Sequence, residues 1–254
     1  MNKKKCAVFT IVKNESYFLP IWIKHYKKYF DSKDIYVLDH ESNDGSTTNL
    51  DVNVINIFND LAFDHQWLVD TVQGVQKRLL EEYECVLFAE SDELIYTLEK
   101  PLNEVITEFI SDSDSLYQTA TGREIVEDLG KEKSLEPEDE IMEYRNFWFD
   151  DPQYHKTLLS KVPLEWVWGF HKIKNGDVDK KYNLWLCHLH RCDFDRMLKR
   201  HEERAKKWNL KDDGKEAGFQ HRIGDREGVL KYFKDIANPA ELIPSKHKQA
   251  LKGI

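Results

Sequence analysis

Hydrophobic and polar positions in the first part of the chain follow two different repeats. Short apolar runs, typical of buried strands, occupy residues 7–12, 35–38, 52–58 and 86–89. Between them, apolar residues recur every three or four positions over 17–30 and 68–79, which is the spacing of a helix with one buried face. This order of elements predicts an α/β fold, with a mainly parallel twisted sheet flanked by helices.

The pattern is less regular in the rest of the chain. Residues 123–143 carry many acidic side chains, which is typical of a solvated loop or insertion. Later patterns predict strands at 157–162, 166–173 and 184–190, then helices at about 194–208 and 229–236. We therefore expect one domain over residues 1–210 and a C-terminal helical extension, residues 211–254, packed on it.

Composition narrows the class of protein. The chain is 41% hydrophobic and 33% charged, as in globular proteins, and it has no transmembrane-length apolar run. The apolar run after the basic segment Met1–Lys5 is interpreted as a strand rather than a signal peptide. A net charge of −9 argues against a general nucleic-acid binder. The four cysteines are few and widely spaced, and three of them lie in strand-like apolar runs, which indicates reduced thiols and a cytoplasmic location. No pair of them has zinc-site spacing.

Polar side chains follow three of the predicted strands. Ligands of open parallel sheets bind outside the carboxyl ends of the strands, and the polar clusters at 13–15, 39–46 and 90–93 fall at such ends. The last cluster holds Glu90, Asp92 and Glu93. Carboxylates this close repel one another unless a cation binds, and Mg²⁺ or Mn²⁺ is usually held by carboxylates and substrate phosphates. The alternative is an acidic turn that caps a following helix.

Two further segments carry candidate chemistry. Asp39 can accept hydrogen bonds from a nucleobase or ribose, although its segment is also compatible with an ordinary polar loop. His188 and His190 are two apart on a predicted strand and therefore share a face. Together they can supply a metal ligand and a hydrogen-bond donor to a diphosphate. The alternative is one partly buried, hydrogen-bonded histidine and one exposed histidine.

These motifs, taken in order, resemble those of the family-2-like glycosyltransferases. The order and spacing match over about residues 5–95, and a weaker likeness continues through 156–160, 168–171 and 188–191. The matching residues are Thr10-Ile11-Val12-Lys13-Asn14-Glu15, Trp22, His25-Tyr26, Asp39, Ser42, Asp44-Gly45-Ser46, Glu90 and Asp92-Glu93.

The resemblance implies a GT-A fold, a nucleotide-diphosphate sugar donor, a glycan or other hydroxyl acceptor, and Mn²⁺ or Mg²⁺. It implies Asp92 as the best metal ligand, with a late histidine, His188 or His190, completing the metal shell. The chain departs from the family at Glu90, where Asp is usual. The residues implied around the nucleotide and its phosphates are Val12, Asn14, Glu15, Asp39, Asp44, Glu90, Lys156 and His171.

The implied reaction is direct displacement at the anomeric carbon, aided by a metal that neutralises the leaving diphosphate. If configuration inverts, a carboxylate must take the acceptor proton; Asp151 is favoured, with Asp150 and Glu93 as alternatives. Two other functions stay open. A sugar nucleotidyltransferase usually opens with a glycine-rich loop, and residues 8–20 contain no glycine. A non-catalytic carbohydrate-binding protein would explain aromatic residues at 148–170 but not the acids at strand ends.

Overall fold

The structure, a computed structural model, describes residues 3–59, 65–174, 176–208, 223–236 and 240–254. Its strands are β1 (Lys4–Val12), β2 (Ile35–Asp39), β3 (Asn53–Asn56), β4 (Tyr83–Phe88), β5 (Glu93–Tyr96), β6 (Tyr117–Thr119), β7 (Thr121–Val126), β8 (Phe147–Phe149), β9 (Thr157–Ser160), β10 (Trp185–Arg191) and β11 (Glu241–Leu242). Its helices are α1 (Phe18–Tyr26), α2 (His65–Glu82), α3 (Leu102–Ser111), α4 (Ile141–Tyr144), α5 (Phe194–Trp208), α6 (Arg226–Ile236) and α7 (Ser245–Ala250).

The first sheet has six strands in the order β3-β2-β1-β4-β9-β6. The first four are parallel to one another, while β9 runs antiparallel to both of its neighbours. The register places Val12 opposite Asp39, so β1 and β2 end side by side. The predicted α/β class, a mainly parallel sheet flanked by helices, is confirmed by this arrangement.

A second, mostly antiparallel sheet was not anticipated from the sequence. Its order is β11-β8-β7-β10-β5, and its register places His188 opposite Glu93. The expectation of a solvated loop over 123–143 is wrong in part, because this stretch begins inside β7, where Ile125 is fully buried. The acidic composition misled the prediction since one of its acids, Glu124, is itself fully buried.

Helix α1 follows β1 in the chain and contacts β5 of the second sheet. Its apolar residues recur at helical spacing, and Phe18, Trp22 and Tyr26 are almost fully buried against the sheets, each contributing about 1.5–3 kcal/mol of hydrophobic stabilisation. The Tyr26 hydroxyl accepts a hydrogen bond from the Ile95 amide at 2.9 Å and donates to the Glu93 carbonyl at 3.3 Å. These contacts fix β5, and with it the acidic turn that precedes it.

The strand predicted over 166–173 is wrong. Only a single bridge between Trp166 and Ile173 forms there, around a short 3₁₀ turn. Gly169 and Phe170 have φ values of +74° and +59°, and successive residues in the left-handed region reverse the chain instead of extending it. Most aromatic side chains of this neighbourhood pack in the core, since Trp148, Trp166 and Phe170 are at most 3% exposed.

The C-terminal part of the described chain contributes to both packing and sheet structure. Val229 and Phe233 of α6 pack with Phe194 in a small second core, and β11 pairs with β8. The predicted boundary between residues 210 and 211 lies outside the described residues. Within the described ranges, no helix combines the length and apolar character needed to cross a bilayer. The four cysteines are buried free thiols.

Candidate active site

Two loops that follow β1 and β2 are bonded to each other; we call residues 13–17 and 40–50 the loop pair. The Asn14 amide donates to the Ser42 hydroxyl at 3.0 Å, and the Asn43 amide donates to the Asn14 side chain at 2.8 Å. The Glu15 amide donates to the Ser46 hydroxyl at 3.3 Å. Asn14 has a φ of +56°, a left-handed conformation that asparagine tolerates better than most residues. The loop pair is therefore ordered by its own hydrogen bonds.

Asp39 is the anchor of the loop pair. Its Oδ1 accepts from the Ser42 amide and its Oδ2 accepts from the Thr47 hydroxyl, both at 2.8 Å. Burial works against its charge, but these hydrogen bonds prevail and hold its pKa below the usual value. Asp44 lies on the exposed side of the same loop and accepts from the Ser46 amide at 3.0 Å.

The acidic turn, residues 90–93, follows β4 and leads directly into β5. The alternative that it caps a helix is therefore wrong, since a strand follows it. Lys156 Nζ lies 2.6 Å from Glu90 Oε2 and 2.5 Å from Glu93 Oε1, and only 1% of this lysine is exposed. Burial disfavours its charge, but the two carboxylates outweigh burial and raise the pKa of Lys156. One lysine thus offsets much of the repulsion in the turn.

Asp92, the third acid of the turn, faces the two predicted histidines. Its carbonyl accepts from the Leu189 amide at 2.9 Å, which docks the turn on β10. Asp92 Oδ1 lies 3.9 Å from His188 Nε2, and Asp92 Oδ2 lies 3.8 Å from His190 Nδ1. The imidazoles are stacked with centroids 6.0 Å apart, so the two histidines share the strand face that their spacing predicts.

A buried carboxylate orients only one of these histidines. Glu124 Oε2 lies 2.5 Å from His188 Nδ1, and Glu124 also accepts from the Arg191 amide and guanidinium, both at 2.9 Å. Because a carboxylate accepts, His188 Nδ1 carries the proton and its Nε2 points toward Asp92. Tyr154 stacks on the His188 ring at 4.4 Å.

The backbone beside Tyr154 requires glycine. A Cβ at Gly122 would lie 2.1 Å from the Tyr154 carbonyl oxygen, which is far inside van der Waals contact. The loop that carries Tyr154 can therefore approach β7 closely and place its ring on His188.

Arg200 of α5 closes the site from the other side. Its guanidinium lies 2.7 Å from Asp92 Oδ2 and 3.1 Å from Glu15 Oε2, so it joins the acidic turn to the loop pair. Burial works against its charge, but Glu15 and Asp92 prevail and raise the pKa of Arg200. The pKa of Asp92 also reflects opposing effects. Burial raises it, but Arg200, and then the two histidines, lower it well below the usual value.

The donor chemistry of this group fits a divalent cation that also receives phosphate oxygens. Asp92 offers a carboxylate, and the two histidines offer imidazole nitrogens beside it. Among the residues that the structure describes, no three His, Cys, Asp or Glu side chains converge tightly enough to hold an ion on their own. A cation at Asp92 would share the carboxylate with Arg200, which lies 2.7 Å from Oδ2, while Oδ1 faces His188.

The predicted proton acceptors lie in different surroundings. Glu93 is fully buried and paired with Lys156, and its other oxygen accepts from the Glu90 amide at 3.1 Å. Asp151 is half-buried and accepts from the Gln153 amide at 2.9 Å. Asp150 is exposed and pairs with Arg123 at 2.5 Å.

The structure brings most of the predicted residues to one edge of the first sheet. Arg200 links the loop pair, which holds Asn14, Glu15 and Asp39, to the group around Asp92. His171 bonds to the Gln153 carbonyl at 2.6 Å; burial and, next, the charge of nearby Lys156 lower its pKa. Sequence reasoning missed Glu124 and Arg200. Arg200 and Arg204 are four positions apart on the predicted helix. That spacing could have indicated that two arginines share one helix face.

Comparisons with known proteins found similar solved structures but no match in sequence. Neither a protein-family model nor a curated protein sequence matches the chain. The mannosyltransferase PcManGT from Pyrobaculum calidifontis, solved in complex with GDP-Man and Mn²⁺, overlaps 99% of this chain and 69% of its own, with 11% identity and a TM-score of 0.38.

Two further solved structures overlap about half of this chain. A cytidylyltransferase from Leptospira borgpetersenii serovar Hardjo-bovis overlaps 46% of this chain and 54% of its own, with 14% identity and a TM-score of 0.32. The bifunctional glycosyltransferase WbbM, in its apo form, overlaps 51% of this chain and 24% of its own, with 15% identity and a TM-score of 0.27. Because all three TM-scores are below 0.5, no function is transferred from these proteins.

Proposed function

We propose that this chain is a metal-dependent glycosyltransferase of the GT-A type, which moves a sugar from a nucleotide-diphosphate donor to a glycan or other hydroxyl acceptor. The observation that carries the proposal is the meeting of two polar groups at one sheet edge. The loop pair, anchored by Asp39, lies beside the carboxylate and imidazole groups around Asp92, and Arg200 contacts both. The first group suits a nucleoside, and the second suits a diphosphate with a cation.

The loop pair is proposed to hold the nucleoside. Carboxylate and amide oxygens of Asp39 and Asn14 are fixed by hydrogen bonds before any ligand arrives, so little ordering is needed on binding. Each carboxylate oxygen of Asp39 accepts one hydrogen bond within the loop and retains a second lone pair for a ribose or base donor. Val12, Glu15 and Asp44 border the same loops and complete the proposed nucleoside site.

Asp92 and His188 are the proposed protein ligands of Mn²⁺ or Mg²⁺. Metal-binding histidines usually donate their second ring N–H to a carboxylate, and Glu124 meets that requirement for His188. His190 is proposed to face the diphosphate instead. A bound divalent cation supplies Lewis-acid stabilisation of the leaving diphosphate.

The remaining charged residues have proposed roles around the reacting bond. Lys156 and His171 are proposed to face the phosphates, and the carboxylates of Glu90 and Glu93 fix the lysine by ion pairs. Asp151 is the proposed acceptor of the hydroxyl proton in an inverting displacement, because it is more exposed than the buried and paired Glu93. This choice leaves Glu93 as a positioning residue.

The connection between β1 and α1 speaks against the nucleotidyltransferase alternative. Residues 13–17, Lys-Asn-Glu-Ser-Tyr, contain no glycine and are occupied by contacts to the second loop. A glycine-rich phosphate loop therefore has no place there. A binding protein without catalysis would gain nothing from a buried Glu124–His188 pair directed at a carboxylate.

A nucleotide screen tests the proposal. The melting temperature of the chain is measured with UDP, GDP, dTDP and CMP, with and without Mn²⁺, and sugar transfer is then assayed with the corresponding donors. A nucleotide at about 100 times its Kd adds about 2.7 kcal/mol to the free energy of unfolding, and we expect that gain to depend on Mn²⁺. The absence of a metal-dependent shift with every nucleotide, or of transfer with every donor, would overturn the proposal.

A further inference from the structure

Arg200 neutralises the carboxylate that a cation needs: it holds Asp92 Oδ2, while Oδ1 faces His188. Arg200 lies 2.7 Å from Asp92 Oδ2 and 3.1 Å from Glu15 Oε2, and its guanidinium carbon lies over the Phe18 ring, 5.0 Å from the ring centroid. A positive guanidinium and a divalent cation repel each other and compete for the same carboxylate. Any cation that binds to Asp92 must therefore displace Arg200 or bind against its charge.

A second arginine lies beside the first. Arg204 is four positions further along α5, so the two side chains share one face of the helix. Burial lowers the pKa of Arg204 to about 10, with the charge of Arg200 as the next cause, and Asp92 and Glu15 act in the opposite direction. A helix face that carries two guanidinium groups attracts an anion, and their planar forks suit the oxygens of a diphosphate.

We propose that Arg200 is an exchangeable counter-charge for Asp92, which makes cation and nucleoside diphosphate bind cooperatively. This inference rests on the proposed function. Without the nucleotide, Arg200 holds Asp92 and keeps the cation affinity low. The diphosphate offers Arg200 and Arg204 a new partner, Asp92 Oδ2 is released, and the cation then binds to the carboxylate and the phosphates together. Arg200 thereby prevents the cation from filling the site before the donor arrives.

Binding in this scheme is reciprocal. If the diphosphate raises the cation affinity by some factor, the cation raises the diphosphate affinity by the same factor, typically about 5–150-fold for coupled sites. Removal of Arg200 should therefore change three quantities at once. The affinity for the cation alone should rise, the affinity for nucleotide alone should fall, and the coupling between them should shrink.

The test is a Mn²⁺ titration followed by electron paramagnetic resonance of the free ion, without nucleotide and with the nucleoside diphosphate that the screen identifies. Arg200→Gln should bind Mn²⁺ alone at least about 5-fold more tightly than the wild type, and it should lose most of the coupling. Arg196→Gln is the matched control: it lies one turn earlier on α5 and contacts Leu135 and Tyr17 instead of Asp92. It should behave as the wild type.

The outcomes separate the two proposals. If nucleotide binds but Arg200→Gln leaves the Mn²⁺ affinity unchanged or lowers it, the exchange is wrong while the proposed function stands. If the wild type binds no nucleoside diphosphate under any condition, both are wrong. Circular dichroism checks folding. Should Arg200→Gln not fold, Arg200→Lys keeps the charge but cannot bridge Asp92 and Glu15 with a fork, and it should show a smaller shift in the same direction.

Discussion

The two polar regions that meet at the sheet edge are held together by different forces. In the loop pair, neutral donors make the bonds: the Asn14 amide donates to Ser42, 28 positions away in sequence, and the Asp39 carboxylate accepts from the Ser42 amide and the Thr47 hydroxyl. Around Asp92, charged groups bond residues 64 to 108 positions apart, as in the contacts from Glu124 to His188 and from Asp92 to Arg200. The loop pair can form from segments that are close in sequence. The contacts around Asp92 form only after elements that are distant in sequence have packed together.

That difference has a functional consequence. Neutral hydrogen bonds have no better partner in a nucleotide and should persist when it binds. Ion pairs can be exchanged for a ligand of the same charge, since a cation competes with Arg200 and a phosphate competes with Asp92. Substitutions around Asp92 should therefore cost activity with little loss of folding, and substitutions in the loop pair should act on nucleotide affinity.

The largest expected effect is that of Asp92→Asn. Asparagine keeps the size and one acceptor oxygen but removes the charge that attracts a cation. We expect transfer to fall by about 10²–10³, the usual cost of losing one electrostatic contact to a transition state. The measurement is transfer rate against Mn²⁺ concentration, with circular dichroism as the folding control. A well-folded variant with the wild-type rate at equal Mn²⁺ would remove Asp92 from the proposed site.

His188 and His190 should be unequal. His188→Ala is expected to reduce Mn²⁺ affinity in the presence of nucleotide more strongly than His190→Ala, because only His188 is oriented by Glu124. Glu124→Gln should reproduce part of that loss, about 10–100-fold, as for other residues that support a metal ligand.

Glu127→Gln provides the control for Glu124. Glu127 is a buried carboxylate that accepts from the Phe194 amide at 2.7 Å and pairs with Arg145 at 3.9 Å, so its change should affect stability and leave Mn²⁺ affinity alone. Equal Mn²⁺ affinities for the two histidine variants would contradict the assignment of His188.

Asp39→Asn should have a smaller effect, confined to the affinity for nucleotide. The amide offers one acceptor where the carboxylate offers two, so the bond from Ser42 or from Thr47 is lost. A hydrogen bond contributes about 1 kcal/mol, so the Kd for nucleotide should rise by about 5-fold. Calorimetric titration measures it; Mn²⁺ affinity in the absence of nucleotide should not move, and a change there would show that the two regions are not separable.

The smallest expected effect on transfer concerns a residue outside both regions. His247 bonds to the Tyr96 hydroxyl at 2.7 Å and packs against Trp148 and Trp185. Burial, and then Lys246 and Arg123, lower its pKa to about 4. As the pH decreases, His247 is therefore protonated in the unfolded chain before it is protonated in the folded chain. The free energy of unfolding should fall as the pH decreases from about 6.5 to 4.

His247→Phe should flatten this dependence. Other buried histidines, among them His25 and His201, contribute to the pH dependence of stability in the wild type and in the variant alike. The difference between the two curves of melting temperature against pH therefore isolates His247. Melting temperatures at several pH values measure it, and transfer at pH 7 should be unchanged. Parallel curves for the two proteins would contradict the prediction.

The sequence was most informative where structure is local. Strands β1, β2 and β4 and helices α1, α2 and α5 follow from apolar periodicity, and the loop pair follows from polar residues at strand ends. Glu124 could not be found in this way, because its role depends on β7 lying beside β10, and alternation does not state which strands pair. Arg200 depends on where α5 docks, which is decided by packing of Phe194 and its neighbours.

Gly122 also constrains how this chain can diverge over evolutionary time. Every amino acid other than glycine would place a Cβ 2.1 Å from the carbonyl oxygen of Tyr154. A lineage can therefore replace Gly122 only after the segment around Tyr154 has moved, and that segment also carries Asp151. We expect descendants with a different residue at this position to have rebuilt the whole segment, so that acceptor preference and position 122 change together.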